Sequence, residues 1–139
     1  MAEHRFSLRA SFHYQGEKNK LHRLEAELLT DEGWIPLKLG VKSPGILLFV
    51  YSFFVCQHTS FHANSTERGL RLKRADETME LRAGGDWKLK RVKLVIDAVL
   101  REGSADQGSI AYIRRRMRQC PVSININEPP DYHIALNFK

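Results

Sequence analysis

Ser43-Pro44-Gly45-Ile46-Leu47-Leu48-Phe49-Val50-Tyr51-Ser52-Phe53-Phe54-Val55-Cys56-Gln57-His58-Thr59-Ser60-Phe61 is the most apolar stretch of this 139-residue chain, and it holds one of the two cysteines. Pro44 suits the first turn of a helix, where its missing N–H is not needed, and Ser43 before it suits the N-cap. From Ile46 to Val55 only Ser52 is polar, so the run is expected to be buried on every side as a core helix. Its aromatic and β-branched residues favour strand, and length decides for helix. The run is about half of the roughly 20 residues a membrane span needs, so no membrane segment is expected.

The elements around it follow from periodicity. Phe6, Leu8, Ala10, Phe12 and Tyr14 alternate with Arg5, Ser7, Arg9, Ser11 and His13, as in a half-buried strand. Turn residues Gly16 to Asn19 lead into Leu24, Ala26 and Leu28, which alternate with charges and complete a hairpin. Leu21, Leu24 and Leu28 also fit a helical spacing, and strand is the reading taken. Trp34 to Val41 reads as a third strand, with Pro36 suggesting an edge.

Beyond the helix, Asn64 to Gly69 reads as a polar break. Leu70 to Leu81 reads as a bulged strand or narrow hairpin, and Trp87 to Leu100 as a long strand. Ser109 is placed to cap a second helix whose stripe is Ile110, Ile113 and Met117, with Cys120 next along it and Arg114, Arg115, Arg116 and Arg118 in its last turns. Val122, Ile124 and Ile126 suggest a terminal strand, continued by Ile134, Leu136 and Phe138. The result is an α+β chain in the order β(3)-α-β(2)-α-β, with residues 1–139 as one domain.

Hydrophobic residues make up 42% and charged residues 27%, a globular balance with no low-complexity arm. The amino terminus lacks a continuous apolar region, so a cytoplasmic protein without a secretory signal is expected. Two cysteines 64 positions apart fit neither a disulfide scaffold nor a zinc knuckle and read as thiols or a reactive pair. Net charge is +6, from 22 Lys and Arg against 16 Asp and Glu, which favours anionic partners; no nucleic-acid motif accompanies it. His58 and His62, four apart, invite a metal reading, against which stands the ordinary solvated helix end.

If Cys56 and Cys120 meet, one can attack a peroxide oxygen to become a sulfenic acid and the other can condense on it. Apolar surroundings would raise the Cys56 pKa, so a nearby cation is required, and the cluster at 114–118 is the candidate. Buried cysteines are also ordinary space-filling residues, and arginines in a last turn are ordinary helix chemistry.

The apolar run ending at Cys56, together with Arg114-Arg115-Arg116-Met117-Arg118-Gln119-Cys120-Pro121-Val122-Ser123, resembles the OsmC/Ohr family of osmotically inducible and organic hydroperoxide resistance proteins. The resemblance spans nearly the whole chain. It implies an intertwined homodimer, Cys56 as the attacking and Cys120 as the resolving catalytic cysteine, and no metal or bound organic cofactor. It further implies an organic hydroperoxide substrate and a dithiol or lipoylated protein as reductant. Gly45 and Ile46 stand where that family carries a glutamate, and Phe53, Phe54 and Val55 where it carries small residues. Lys18, Lys20 and Arg23 occupy the region of its activating arginine. Three readings follow: a thiol-dependent hydroperoxide reductase, a dimer of the same fold that senses redox state or binds without efficient peroxidase activity, and an anion or nucleic-acid binder.

Overall fold

A computed structural model describes residues 2–139. The first hairpin forms where alternation is cleanest: β1 (His4–Gln15) and β2 (Lys20–Thr30) pair antiparallel, closed by Gly16 and Asn19, both at positive φ. The helical spacing of Leu21, Leu24 and Leu28 does not prevail. A short β3 (Gly33–Pro36) adds to β2, and the expected strand to Val41 stops at Pro36, a residue that cannot donate to a ladder.

Helix α1 (Gly45–Glu67) is longer than expected and takes in the segment read as a polar break from Asn64. Pro44 itself sits at its N-cap, while the Ser43 hydroxyl accepts a bond from the Gly40 amide instead of capping the helix. Nor is α1 buried all round. Val50, Phe53, Phe54 and Phe61 lie in the core, while Leu48 and Val55 remain exposed. At 23 residues it is long and apolar enough to cross a membrane, so run length no longer argues against one; its contacts are with the sheet and α2.

β4 (Leu72–Ala83) pairs with both β1 and β5 (Leu89–Leu100), with a register break near Arg74 where a bulge was expected. Helix α2 (Gln107–Met117) is capped by the Asp106 carboxylate, which accepts from the Ser109 amide at 2.6 Å; Ser109 is thus inside the helix and not its cap. The expected strand at Val122 to Ile126 is absent. Those residues make a single 3-10 turn over Ser123–Asn125. Strand β6 (Asp131–Phe138) then runs parallel to β5.

The sheet order is β3-β2-β1-β4-β5-β6. Both helices cover one face, onto which Leu8, Phe12, Met79, Leu81, Leu94 and Ile96 point. The other face carries ion pairs such as Arg9–Glu27 and Arg74–Asp76. The predicted α+β class and element order are borne out.

Candidate functional site

Both cysteines lie where α1 crosses the end of α2. Successive α1 residues turn by about 100°, so Cys56 and Gln57 face the chain after α2 while His58 turns to the sheet. Met117 ends α2, and Cys120 follows three residues later in a turn, its amide bonded to the Met117 carbonyl. Pro121 cannot continue a helix, and the backbone bends so that the Ser123 amide points back at the Cys120 sulfur, 3.4 Å away.

The two sulfurs border one groove of about 450 Å³, together with Ser60, Asn64, Arg116 and Gln119. Both thiols are free, and each shifts the other's acidity. Cys56 is partly exposed, whereas Cys120 is 3% exposed. The aromatic neighbours Phe53 and Phe54 do not line the groove, because they turn into the core.

Hydrogen bonding distinguishes the sulfurs. The buried Gln57 side chain places its Nε2 2.9 Å from the Met117 carbonyl oxygen, 3.1 Å from Cys120 Sγ and 3.1 Å from Ser123 Oγ. Burial works against a Cys120 thiolate, but bonds from Cys56, from the Ser123 hydroxyl and amide, and from Gln57 outweigh it and hold the thiol below its ordinary value. Burial together with the neighbouring Cys120 pushes Cys56 up to about 11, with the Val122 amide working the other way. No arginine contributes to the Cys56 shift.

The arginine cluster is otherwise employed. Arg114 bonds the Ile134 carbonyl, and Arg118 bonds Glu128 and the Tyr132 carbonyl. Arg116 alone borders the groove and bonds Asn64 at 3.4 Å. Arg23 is paired with Glu25 on the surface of β2.

On the sheet side of α1 lies a cluster that sequence reasoning missed. Tyr14 Oη is 2.9 Å from His58 Nε2, and His58 Nδ1 is 3.3 Å from Glu77 Oε2, short of hydrogen-bond alignment. Glu77 is 1% exposed, and burial raises its carboxyl well above the usual range. Burial pushes His58 down to about 3. The signal was present: inward alternation through Ala75, Met79 and Leu81 puts Glu77 on the buried face. Both histidine rings stack with Tyr14, but their nitrogens bond different groups, His58 the Tyr14 hydroxyl and His62 the Asn19 carbonyl. Among the described residues, no group of three or more His, Cys, Asp or Glu is arranged to hold a metal ion.

No family model and no curated protein matches the sequence. Solved structures do match. An OsmC-like hydroperoxide resistance protein from Jannaschia sp. CCS1 superposes with a TM-score of 0.55 at 11% identity, covering 89% of each chain. An OsmC-like protein from Mycoplasma pneumoniae gives a TM-score of 0.52 at 11% identity over 96% of this chain and 95% of that one. The likeness spans the whole arrangement of three strands, helix, two strands, helix and strand, and the chain therefore has the OsmC-like fold.

Proposed function

We propose that the protein is a thiol-dependent hydroperoxide reductase whose redox centre is Cys56 and Cys120. The observation that carries this is the meeting of the chain's two thiols at one groove. The Cys56 sulfur attacks the distal peroxide oxygen, the O–O bond breaks, and Cys56 becomes a sulfenic acid as an alcohol leaves. Cys120 attacks that sulfur, releasing water and forming a disulfide. A dithiol of the lipoyl type restores both thiols.

Cys56 begins as the weaker acid, so its proton must leave before it attacks. Cys120, whose donors favour its thiolate, shares the groove with Cys56 and is the group that can take that proton. No metal or bound organic cofactor is needed for these steps.

The raised Cys56 pKa and the absence of an arginine from its causes favour a second reading, a redox-sensing dimer with slow peroxide chemistry. The homodimer belongs to both. Its support is the exposed apolar set Leu21, Leu24, Ile35 and Val55 on β2, β3 and α1, which a second copy would cover. Light scattering reads the mass in solution, and a monomer at micromolar concentration rejects the dimer. Steady-state organic hydroperoxide consumption with a dithiol separates the two functions. Turnover abolished by Cys56→Ser supports the reductase, and stoichiometric oxidation without turnover supports the sensor. Peroxide consumption unchanged in Cys56→Ser rejects the redox centre.

A further inference from the structure

We propose that Gln57 and Ser123 form a thiolate-stabilising site for Cys120, so that reduction of the disulfide proceeds by attack on Cys56 with Cys120 as the leaving sulfur. This rests on the pairing of the two cysteines proposed above. The geometry of the donors carries it. The Gln57 amide is fully buried, and its orientation is set by the Met117 carbonyl, which only accepts, so Nε2 and not Oε1 faces it. One N–H serves that carbonyl, and the other points between Cys120 Sγ and Ser123 Oγ.

The Ser123 hydroxyl lies 3.2 Å from the Tyr132 hydroxyl. With Tyr132 donating to it, the Ser123 proton is free to reach the Cys120 sulfur, which also receives the Ser123 amide. Negative charge appearing at Cys120 therefore meets amide, hydroxyl and backbone donors already in position, without solvent reorganisation. Charge appearing at Cys56 is favoured by the Val122 amide and by no buried side-chain amide.

Access runs in the same sense. Cys56 is the more exposed sulfur and Cys120 is buried among its donors, so an incoming thiolate reaches Cys56 first. In thiol–disulfide exchange the sulfur with the more stable thiolate leaves faster. The incoming thiolate forms a new S–S bond to Cys56, the Cys56–Cys120 bond breaks, and its electron pair goes to Cys120. The second thiol of the dithiol then displaces Cys56, which takes up a proton, and the reductant departs as its own disulfide.

The test starts from protein oxidised with diamide, so it does not depend on peroxide chemistry. A limiting monothiol such as 2-mercaptoethanol is added, the mixture is quenched in acid, and the mixed disulfide is mapped by peptide mass spectrometry. The adduct is expected on Cys56, and an adduct chiefly on Cys120 overturns the proposal. In the Cys56→Ser background, ultraviolet thiolate absorbance is titrated against pH with and without Gln57→Met. Loss of the amide donor should lower the Cys120 thiolate fraction about tenfold at a fixed pH below its pKa, a shift of about one unit.

Ser123→Ala, which leaves Gln57 in place, gives a second reading of the same quantity if Gln57→Met does not fold. A Cys120 titration unmoved by the substitutions overturns the site. Failure of diamide to join the two cysteines overturns both this inference and their pairing. A diamide disulfide that peroxide does not produce rejects the reductase and leaves the adduct to decide the inference.

Discussion

Replacing Glu77 by Gln should change the shape of the protein's stability profile against pH as well as its height. In the folded state burial holds Glu77 protonated and His58 neutral, so the facing pair carries one proton between them. The proton count is the same whichever of the two holds it. The unfolded references are 4.5 for the carboxyl and 6.5 for the imidazole.

Below pH 4.5 the unfolded pair binds the extra proton on His58, and stability rises with pH from the folded His58 value of about 3. Between 4.5 and 6.5 unfolding protonates His58 and ionises Glu77, the two changes cancel, and the pair contributes no slope. Above 6.5 the unfolded state releases the Glu77 proton that the folded state keeps, and stability falls by about 1.4 kcal/mol per pH unit until the folded carboxyl titrates.

Glu77→Gln removes the carboxyl term alone. Its profile should rise from pH 4.5 to 6.5 and then flatten, so its stability relative to wild type should grow between pH 5.5 and 7.5, by about 1.4 kcal/mol per unit while the folded Glu77 carboxyl keeps its proton. Urea denaturation at those two pH values measures the difference. A relative stability that stays constant across them refutes the account of a buried, singly protonated pair.

Phe53→Ala should cost about 3–5 kcal/mol in urea denaturation, because that fully buried ring packs edge-on against Tyr132 and Phe49 and leaves a cavity. Asn19→Ala should cost more than about 2 kcal/mol. The residue holds a positive φ, donates to Thr66 and the Leu70 carbonyl, and accepts the Leu72 amide, tying the β1–β2 turn to the end of α1.

The strands were legible because their buried face is set by alternation alone: Leu8 to Tyr14 on β1 and Val92 to Leu100 on β5 point inward as the period of two requires. The second half of α1 was not. Gln57, His58, Asn64 and Ser65 are polar yet buried, and several of their partners, such as Met117 for Gln57 and Tyr14 for His58, lie tens of residues away. Val122, Ile124 and Ile126 alternate as a strand would, but the chain must turn there to bring Ser123 to Cys120, and Ile124 is left exposed. The two cysteines were legible as a pair from the resemblance. The donors that distinguish them were not, since Gln57 and Ser123 carry no motif and acquire their role only when α1 meets the end of α2.

The central claim is that these two thiols form one peroxide-driven redox couple. Adding one equivalent of an organic hydroperoxide to reduced protein and reading intact mass and linked peptides measures it directly. The account predicts a chain lighter by two hydrogens and a peptide pair joined through Cys56 and Cys120. A chain that keeps both thiols, or that oxidises at either cysteine without joining them, would contradict it.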